Sequence, residues 1–488
     1  MTGPEQDVGA EASTAEPGGP PPDPRRWKLL AVLATVQFII FLDATIVNVA
    51  LPSIRDSLHF SEQQLTWVVN GYLLTAGGLL LVGGRLGDML GRRRMFAVGA
   101  ALFAAASILA AVSANAETLL VARFVQGTAE ACAAPAALGM IALTFTDPRE
   151  SQKAFAIWGG LSGLGATLGV VLSGVLTDLI SWRWIFWINV PLALVPLVLV
   201  FVFGKESRME GRRALGPVSA ILVTGGMVAA VHGMLQIVTH PVGSAEVLLP
   251  LCGGLVALAV FVAVQAKSAH PLLPLAFLRN RVRAAGYVGL TFLNAATAAM
   301  FFLLVLYMQN VLDYSPLANG LAWVPYCLTF LLGLQVALAT MPKVGARAVI
   351  TIGLTTAALG MGWLALIPAD GSFWSSLLPG MLVLGFGGGY TFPATQTAAL
   401  SGLSMQDAGL GSGIITTLGQ LGQVVGLTAL VTVSLAVTAD SGASGDEAVV
   451  DGFGVGLGIA AVVLLAGALL AAATFGRANR DVAKLART

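Results

Sequence analysis

The sequence predicts an all-helical protein that crosses a lipid bilayer many times, and two observations lead to this fold class. Of the 488 residues, 56% are hydrophobic and only 10% are charged, with a mean hydropathy of +0.84. Soluble domains contain about 25% charged residues, so this chain has too few polar groups to cover a surface that faces water. In addition, fourteen separate windows of the sequence reach the length of about 20 residues that an apolar helix needs to cross a membrane. We therefore predict an all-α, polytopic membrane protein.

The composition also excludes several classes of function. The net charge of +1 is unlike the basic excess of nucleic-acid-binding proteins, so no nucleic-acid partner is expected. The three cysteines and four histidines lie far apart, which argues against a metal site. No G-x-x-x-x-G-K-S/T motif occurs, so the chain is not an ATP-driven pump by itself. We expect neither an enzyme nor a bound cofactor.

The predicted elements follow in order from the N-terminus. Residues 1–27 are rich in Gly, Pro and Glu and are predicted to form a disordered cytoplasmic tail. The first apolar window is longer than the core of a signal peptide, about 7–15 residues, and is interpreted as a retained span. The thirteenth window contains several glycines that would tilt or break its helix. The predicted spans are 29–52, 65–84, 95–114, 118–145, 153–177, 184–204, 214–238, 246–266, 284–311, 317–341, 347–367, 375–400, 408–438 and 454–475.

The distribution of basic residues predicts the orientation of these spans, because cytoplasmic loops collect Lys and Arg. With fourteen spans and both termini in the cytoplasm, the outer segments contain only Arg55 and Arg183. Adding or removing one span would invert part of this pattern. We therefore expect a multi-pass protein of the plasma (inner) membrane. The basic residues assigned to the inner side are Arg92, Arg93, Arg94, Arg149, Lys153, Lys205, Arg208, Arg212, Arg213, Lys267, Arg279, Arg281, Arg283, Lys343, Arg347, Arg477, Arg480, Lys484 and Arg487.

Three ionisable residues lie inside the predicted spans: Asp43, Arg123 and Glu130. Each costs about 2.5–3.5 kcal/mol at mid-membrane, so such residues usually have a function. Arg123, Gln126 and Glu130 share one face of the fourth span, and Asp43 lies at an intermediate depth in the first. If these helices are neighbours, Arg123 reaches either carboxylate. Because a guanidinium lowers the pKa of a carboxyl group and burial raises it, movement of the arginine would load or release a proton. The alternative is a static salt bridge that orders the helices.

Several motifs, in order along the chain, resemble those of one transporter family. They are Leu42–Pro52 in the first span, Gly84–Arg94 between the second and third, Leu119 with Arg123, Gln126 and Gly127 in the fourth, Trp182–Pro191 at the entry to the sixth, Tyr307–Gln309, Ser315–Gly320, and Gly409–Gly413 with Gln420 and Gly422. Together they cover about residues 28–475. The chain is similar to the major facilitator superfamily, specifically to its fourteen-span drug:proton antiporter family.

This resemblance implies both a fold and an energy source. Two six-helix bundles, at residues 28–204 and 284–475, would enclose a cavity at the membrane midplane and rock to give alternating access. A linker at 205–283 would form two additional central spans, and residues 476–488 a cytoplasmic tail. The proton gradient would supply the energy without a cofactor. The expected function is proton-driven efflux of amphipathic small molecules, such as drugs or antibiotics, across the lipid bilayer.

The predicted site residues fall into three groups. Those expected to couple protons are Asp43, Arg123 and Glu130, the last at a place where the family motif usually has a small residue. The resemblance implies an inner gate, whose salt bridges break when the inner side opens, formed by Gly84, Asp88, Gly91, Arg92 and Arg93. Aromatic residues at helical spacing often serve only as packing. With that alternative open, the candidate substrate-binding residues are Trp67, Tyr72, Gln126, Tyr307 and Gln309.

Two features of the sequence bear on the mode of transport and the substrate. In the fifth span, Val170 stands where the family's antiporter motif has proline, and Ser173 where it has the first of two glycines. A facilitator or importer of the same fold is therefore one alternative to an antiporter, and a non-transporting membrane sensor is another. The second half has no clear intramembrane acid, so we expect neutral or monocationic substrates.

Overall fold

A computed structural model describes residues 25–145, 147–208, 216–268, 271–403, 405–441 and 445–475, and the secondary structure of this part is entirely helical. Of the two predicted tails, only residues 25–27 are described. Six of the predicted inner-side basic residues also lie outside the described residues: Arg212, Arg213, Arg477, Arg480, Lys484 and Arg487. The helices are α1 (Arg26–Leu58), α2 (Glu62–Leu90), α3 (Arg92–Ala111), α4 (Ala116–Thr144), α5 (Pro148–Leu179), α6 (Trp184–Trp187), α7 (Asn189–Phe203), α8 (Pro217–Gln236), α9 (Ala245–Lys267), α10 (Ala276–Arg279), α11 (Arg281–Leu306), α12 (Pro316–Ala322), α13 (Val324–Leu364), α14 (Leu378–Ala399), α15 (Met405–Asp440) and α16 (Asp446–Phe475), with π-helical turns at Tyr307–Val311 and Phe373–Leu377.

Twelve helical segments of the described residues are long and apolar enough to cross a membrane, so the predicted number of fourteen is not confirmed by this count. One of the twelve, Pro316–Leu364, has 49 residues, more than twice the length of about 20 that a span needs. Its backbone leaves the helical conformation at Gly345, where φ is 82° and ψ is 158°. The helix α14 has 22 residues but is absent from the twelve, because glycine, threonine and proline make it less apolar.

Local signals set the helix ends that position the charged residues. At the start of α2, the Ser61 hydroxyl accepts a hydrogen bond from the Gln64 backbone N–H, and the Gln64 side chain accepts one from the Ser61 N–H. The Asn115 side chain caps α4 by accepting a 2.9 Å hydrogen bond from the Thr118 N–H. Between α2 and α3, Gly91 has a φ of 113°, which side chains other than glycine rarely allow. The chain therefore reverses direction at the predicted gate.

Small residues bring the helices of the first half, residues 26–203, unusually close together. A Cβ atom added at Gly83 of α2 would lie 1.8 Å from the Ala131 carbonyl oxygen of α4, and one at Gly99 of α3 would lie 2.7 Å from the Ala129 oxygen. Without a hydrophobic driving force between helices in lipid, such close van der Waals packing is a main source of association. The result is that the intramembrane face of α4 is buried against α1, α2 and α3.

The second half, residues 281–475, packs by the same rule and contacts the first half at several levels. A Cβ atom added at Gly333 of α13 would lie 2.2 Å from the Phe386 oxygen of α14. At the end that the charge pattern predicts to be outer, the Gln309 side chain donates a 2.8 Å hydrogen bond to the Val49 carbonyl of α1. Nearer the middle, Asn70 of α2 donates a 2.9 Å hydrogen bond to the Thr428 hydroxyl of α15.

The helix α8, from the predicted linker, lies along the seam between the two halves. It packs against both α2 and α15. A Cβ atom added at Gly78 of α2 would lie 2.2 Å from the Thr224 hydroxyl oxygen of α8, so this contact also depends on a glycine. The helix α8 thus covers one side of the junction between the halves, and α9 packs against α8.

We expect Gly83→Ala to lower the thermal stability of the detergent-solubilised protein. Alanine favours a helix over glycine by about 1 kcal/mol, but overpacking a tight contact costs about 1–3 kcal/mol, and the 1.8 Å approach to Ala131 means that packing dominates. The measurement is the apparent melting temperature by fluorescence-detected size exclusion. Gly253→Ala is the matched control, since beyond its own helix backbone and chain neighbours no atom lies within 4 Å of a Cβ there, and its melting temperature should not fall. Equal melting temperatures for the two variants would contradict the close α2–α4 packing.

Candidate functional site

A buried ion pair joins the first and fourth helices. The Arg123 Nη1 atom lies 2.6 Å from the Asp43 Oδ2 atom, and the two side chains are 1% and 0% exposed. Both charges therefore sit in a medium of low dielectric constant, where the attraction between them is strong but the loss of hydration is costly. Such a pair is stable only if its remaining hydrogen-bonding groups also have partners.

The second oxygen of the Asp43 carboxylate has those partners. Asn189, the first residue of α7, donates a 2.6 Å hydrogen bond to Oδ1, and the Gln126 amide approaches the same oxygen at 3.4 Å. The Gln126 amide also donates a 2.9 Å bond to the Ser107 hydroxyl of α3. The carboxylate on α1 is thus held by side chains from α4 and α7, with α3 one step away.

The guanidinium is held from three sides. Its Nε atom donates a 2.8 Å hydrogen bond to the Val68 carbonyl of α2, and Nη1 donates a 2.8 Å bond to the Gln126 side-chain oxygen. The Tyr72 ring lies 4.5 Å from the guanidinium carbon, in the geometry of a cation–π contact. Four helices therefore converge on this one ion pair.

Glu130, the third intramembrane charge, lies apart from the ion pair. Its Oε1 atom accepts a 2.8 Å hydrogen bond from the Gln420 amide of α15, in the second half. Its Oε2 atom has no hydrogen-bond partner, and in the part of the chain that the structure describes no cationic side chain pairs with it. The structure thus places Arg123 on Asp43 and not on Glu130, although the sequence allowed either.

The candidate substrate-binding residues do not form one group. Tyr72 and Gln126 belong to the cluster around the ion pair, as described. Trp67 is half-buried against Phe124, with ring centroids 6.2 Å apart. Tyr307 is fully buried and donates a 2.7 Å hydrogen bond to the Pro368 carbonyl. Tyr307 and Gln309 both lie at the predicted outer end, where Gln309 joins the halves.

The predicted gate residues form a compact cluster at the turn between α2 and α3. The Arg92 guanidinium contacts Asp88 Oδ1 at 2.7 Å and donates a 3.0 Å hydrogen bond to the Gly139 carbonyl of α4. A Cβ atom at Gly84 would lie 3.4 Å from the Pro135 side chain, which is ordinary contact and so leaves little free space. The salt bridge between α2 and α3 is therefore also tied to α4.

Glu206 is a member of this cluster that the sequence reasoning missed. Its Oε1 atom accepts a 3.1 Å hydrogen bond from the Arg93 backbone N–H, at the first turn of α3. Its Oε2 atom lies 3.8 Å from the Arg93 Nε atom and 3.6 Å from the Arg94 Nε atom. A Cβ atom at Gly91 would lie 2.4 Å from Glu206, so the glycine makes room for the carboxylate. The available signal was Glu206 itself, one of two acids among the basic residues after the sixth predicted span.

The sequence of the chain matches the profile of the Major Facilitator Superfamily over residues 33–427. The chain belongs to this superfamily. It is accordingly a membrane transporter and not an enzyme, as predicted from its motifs and from the lack of a nucleotide-binding sequence.

Relatives of similar length support the type of transporter that was predicted. A lincomycin resistance protein of Streptomyces lincolnensis is 39% identical over 446 residues, which are 90% of each chain. A puromycin resistance protein of Streptomyces alboniger is 35% identical over 460 residues, covering 92% of this chain and 91% of the relative. A cephamycin export protein of Amycolatopsis lactamdurans is 35% identical and covers 86% of both. These three relatives are thus named for antibiotic resistance or export.

Solved structures show the same fold at low sequence identity. A peptide transporter POT crystallised with sulfate has a TM-score of 0.69 and 16% identity, with 93% of this chain and 95% of that one covered. The human organic anion transporter MFSD10 has a TM-score of 0.62 and 16% identity, with 92% and 100% covered. The superfamily fold predicted from the motifs is confirmed.

We expect Arg123→Met and Asp43→Asn each to lower thermal stability, and the double variant to lower it by less than the sum. Removing one partner of a buried pair costs about 3–5 kcal/mol, because the other charge remains buried without compensation, whereas removing both leaves no such charge. Melting temperatures of the four proteins in one detergent test this.

The control for that cycle is Glu117→Gln, which makes the same change of carboxylate to amide in an exposed residue at the start of α4. Its melting temperature should stay that of the wild type. Strictly additive losses for the two buried variants would mean that their side chains do not interact.

Proposed function

We propose that this chain exports amphipathic small molecules, drugs or antibiotics among them, across the plasma membrane in exchange for protons. The names of its relatives support export as the direction of transport. The observation that supports protons as the driving ion is the Asp43–Arg123 pair, a titratable carboxylate buried inside a spanning helix and held to a single cation.

Proton transfer follows from the chemistry of this pair. A proton that binds Asp43 removes its negative charge and with it the Coulomb attraction that holds Arg123. The freed guanidinium then has one other carboxylate on its own helix face, Glu130, seven residues or about 10 Å along α4. Because both side chains lean toward the N-terminus of α4, the long Arg123 side chain has to turn toward the C-terminal end of the helix to meet the Glu130 carboxylate. Loading of the proton and repositioning of the arginine are thereby coupled.

Alternating access requires that the contacts between the halves break in turn. The halves now meet at the predicted outer end through Gln309 and Val49, and through the approach of Gly174 in α5 to the Pro316 carbonyl, which a Cβ atom would meet at 2.6 Å. Release of substrate to the outside has to separate these groups. At the predicted inner end, the Asp88–Arg92 bridge would be the gate that limits the opposite motion.

The proposal includes fourteen spans with both termini in the cytoplasm. The 49-residue segment, interrupted at Gly345, then forms two spans, and α14 forms one more. This division keeps Lys343 and Arg347 together on the inner side, in agreement with the positive-inside rule.

A facilitator of the same fold is the second candidate, because of the two substitutions in the fifth predicted span. In the structure, Val170 and Ser173 lie in the uninterrupted helix α5, and the Ser173 hydroxyl donates a hydrogen bond to the Ile46 carbonyl of α1. The family motif has a proline that would kink this helix, whereas here α5 is hydrogen-bonded to α1.

For the topology, we expect an impermeant maleimide applied to intact cells to label Asp370→Cys but not Lys343→Cys, in a background without the native cysteines. Both side chains are exposed, and fourteen spans place them on opposite sides of the membrane. Asp56→Cys, also exposed, is the outer control. If Pro316–Leu364 were a single span, Asp370 would face the cytoplasm and label only after permeabilisation.

For the mechanism, we expect inside-out vesicles with an acidic lumen to take up a fluorescent amphipathic dye, and Asp43→Asn to reduce this uptake at least tenfold. The amide cannot exchange a proton, so the gradient no longer drives the cycle. Dye uptake and the change of luminal pH are followed together, with Glu117→Gln as the control that should keep at least half of the wild-type rate.

Antiport requires that dye entry be accompanied by loss of luminal protons and that nigericin abolish it. Uptake by the wild type that persists unchanged after the gradient is collapsed would identify a facilitator and overturn the proton-driven proposal.

A further inference from the structure

Glu130 is a buried carboxylate at the junction of the two halves that lacks a compensating charge. Its side chain is on α4 in the first half, and the one hydrogen bond that it accepts comes from Gln420 in the second half. The exposed fraction of Glu130 is 3%, so water does not solvate the free Oε2 atom. The Asp43–Arg123 pair cannot supply the missing charge, because the two residues neutralise each other.

Acceptor oxygens at Glu130 are left without a donor. The Tyr72 hydroxyl lies next to the carboxylate, on a side chain that is 1% exposed. The Gln420 side-chain oxygen is without a partner in the described part of the chain, as is Glu130 Oε2. Buried polar groups are nearly always satisfied, so two such acceptors side by side indicate a place that another polar group fills.

The rest of the surroundings is apolar and close-fitting. Glu130 lines a narrow crevice between α1, α3, α4 and α7, whose walls include Ile39, Ile40, Phe103 and Ala133. Gln420 reaches the carboxylate by crossing α2 at Gly77, where a Cβ atom would lie 3.1 Å from its side chain. The Gln420 amide therefore covers the carboxylate from the side of the second half and leaves when the halves separate.

The charge of the cluster limits what can replace the Gln420 amide beside Glu130. The two carboxylates and one guanidinium of this cluster sum to one negative charge when all are ionised, and an uncompensated charge in an apolar site is costly. Either a proton or an organic cation removes that cost. The apolar walls favour a cation with a hydrophobic body over a hydrated inorganic ion.

We propose that Glu130, with Tyr72 beside it, is the binding site for the cationic group of an amphipathic monocation, and that the Gln420 amide occupies this site in its absence. This proposal rests on the proposed function, since it names the class of substrate that the exporter carries. It also explains exchange: once Asp43 is protonated, Arg123 pairs with Glu130 and displaces the bound cation.

The test is equilibrium binding to the purified full-length protein in lipid nanodiscs, with no gradient. The probes are tetraphenylphosphonium, a permanent monocation, and triphenylphosphine oxide, a neutral molecule with the same phenyl groups, which is measured by competition. We expect Glu130→Gln to weaken tetraphenylphosphonium binding at least tenfold and triphenylphosphine oxide binding by less than twofold. Glu117→Gln should change neither.

Gln420→Ala is the second variant, because it leaves the carboxylate in place. Removal of the amide that occupies the site should leave the affinity for tetraphenylphosphonium unchanged or increase it, whereas a merely structural role of the Glu130–Gln420 bond predicts a loss for both probes. Equal losses for the two probes in Glu130→Gln, no loss in that variant, or a wild type that does not bind tetraphenylphosphonium would each overturn the proposal.

Failure of the proposed function is distinguishable from these outcomes. Binding is measured at equilibrium, so a protein that transports without protons would still discriminate the two probes at Glu130. Conversely, proton-driven dye uptake that Asp43→Asn abolishes would stand even if the monocation bound elsewhere.

Discussion

The arrangement of the first half depends on the need to compensate one arginine in the middle of a membrane. Arg123 takes its partners from α1, α2 and α4, and the carboxylate that it pairs with takes a further partner from α7. In a low-dielectric interior, the loss of hydration of an ion pair is offset when its remaining hydrogen-bonding groups have partners. A buried guanidinium without these partners would destabilise the fold. The four helices must therefore approach to hydrogen-bonding distance. Gly83 and Gly127 permit this approach between α2 and α4, and Gly99 lets α3 pack closely on α4.

The ion pairs of the site and of the predicted gate are distributed unequally between the two halves. These ion pairs lie within residues 26–206. The described part of the second half is held by apolar contacts, glycine packing and hydrogen bonds, among them those of the Arg283 guanidinium to the Phe277 and Ser401 carbonyls. A change of protonation thus acts first on the first half. It reaches the second half through polar contacts between the halves, two of which involve a charged side chain: Glu130–Gln420, and Arg55–Asn310 at 3.4 Å.

What the sequence could predict follows from how local each signal is. Hydrophobic length belongs to single segments and each motif to a short stretch, so the all-helical fold and the superfamily were predicted correctly, whereas the number of fourteen spans is not confirmed. The window 408–438 proved to be part of one continuous helix, α15. The depths of Asp43 and Arg123 in their spans made their pairing possible, on the condition that the two helices are neighbours. The roles of Asn189, Ser107 and Gln420 depend on which helices are neighbours and how they are rotated, which one sequence does not contain. The choice between Asp43 and Glu130 as the partner of Arg123 depends on the same information.

Glu206 shows how the predicted linker is connected to the gate. Its carboxylate accepts from the first turn of α3 and contacts two arginines, while the residue after it, Ser207, accepts a 3.1 Å hydrogen bond at its carbonyl from the Arg92 N–H. Arg92 itself bridges Asp88 and α4. The segment that leads toward α8 is therefore fixed to the same turn that contains the predicted gate, and α8 in turn packs against both α2 and α15. Opening of the proposed gate at Asp88–Arg92 would therefore act on this segment through the Arg92 and Arg93 backbone N–H groups.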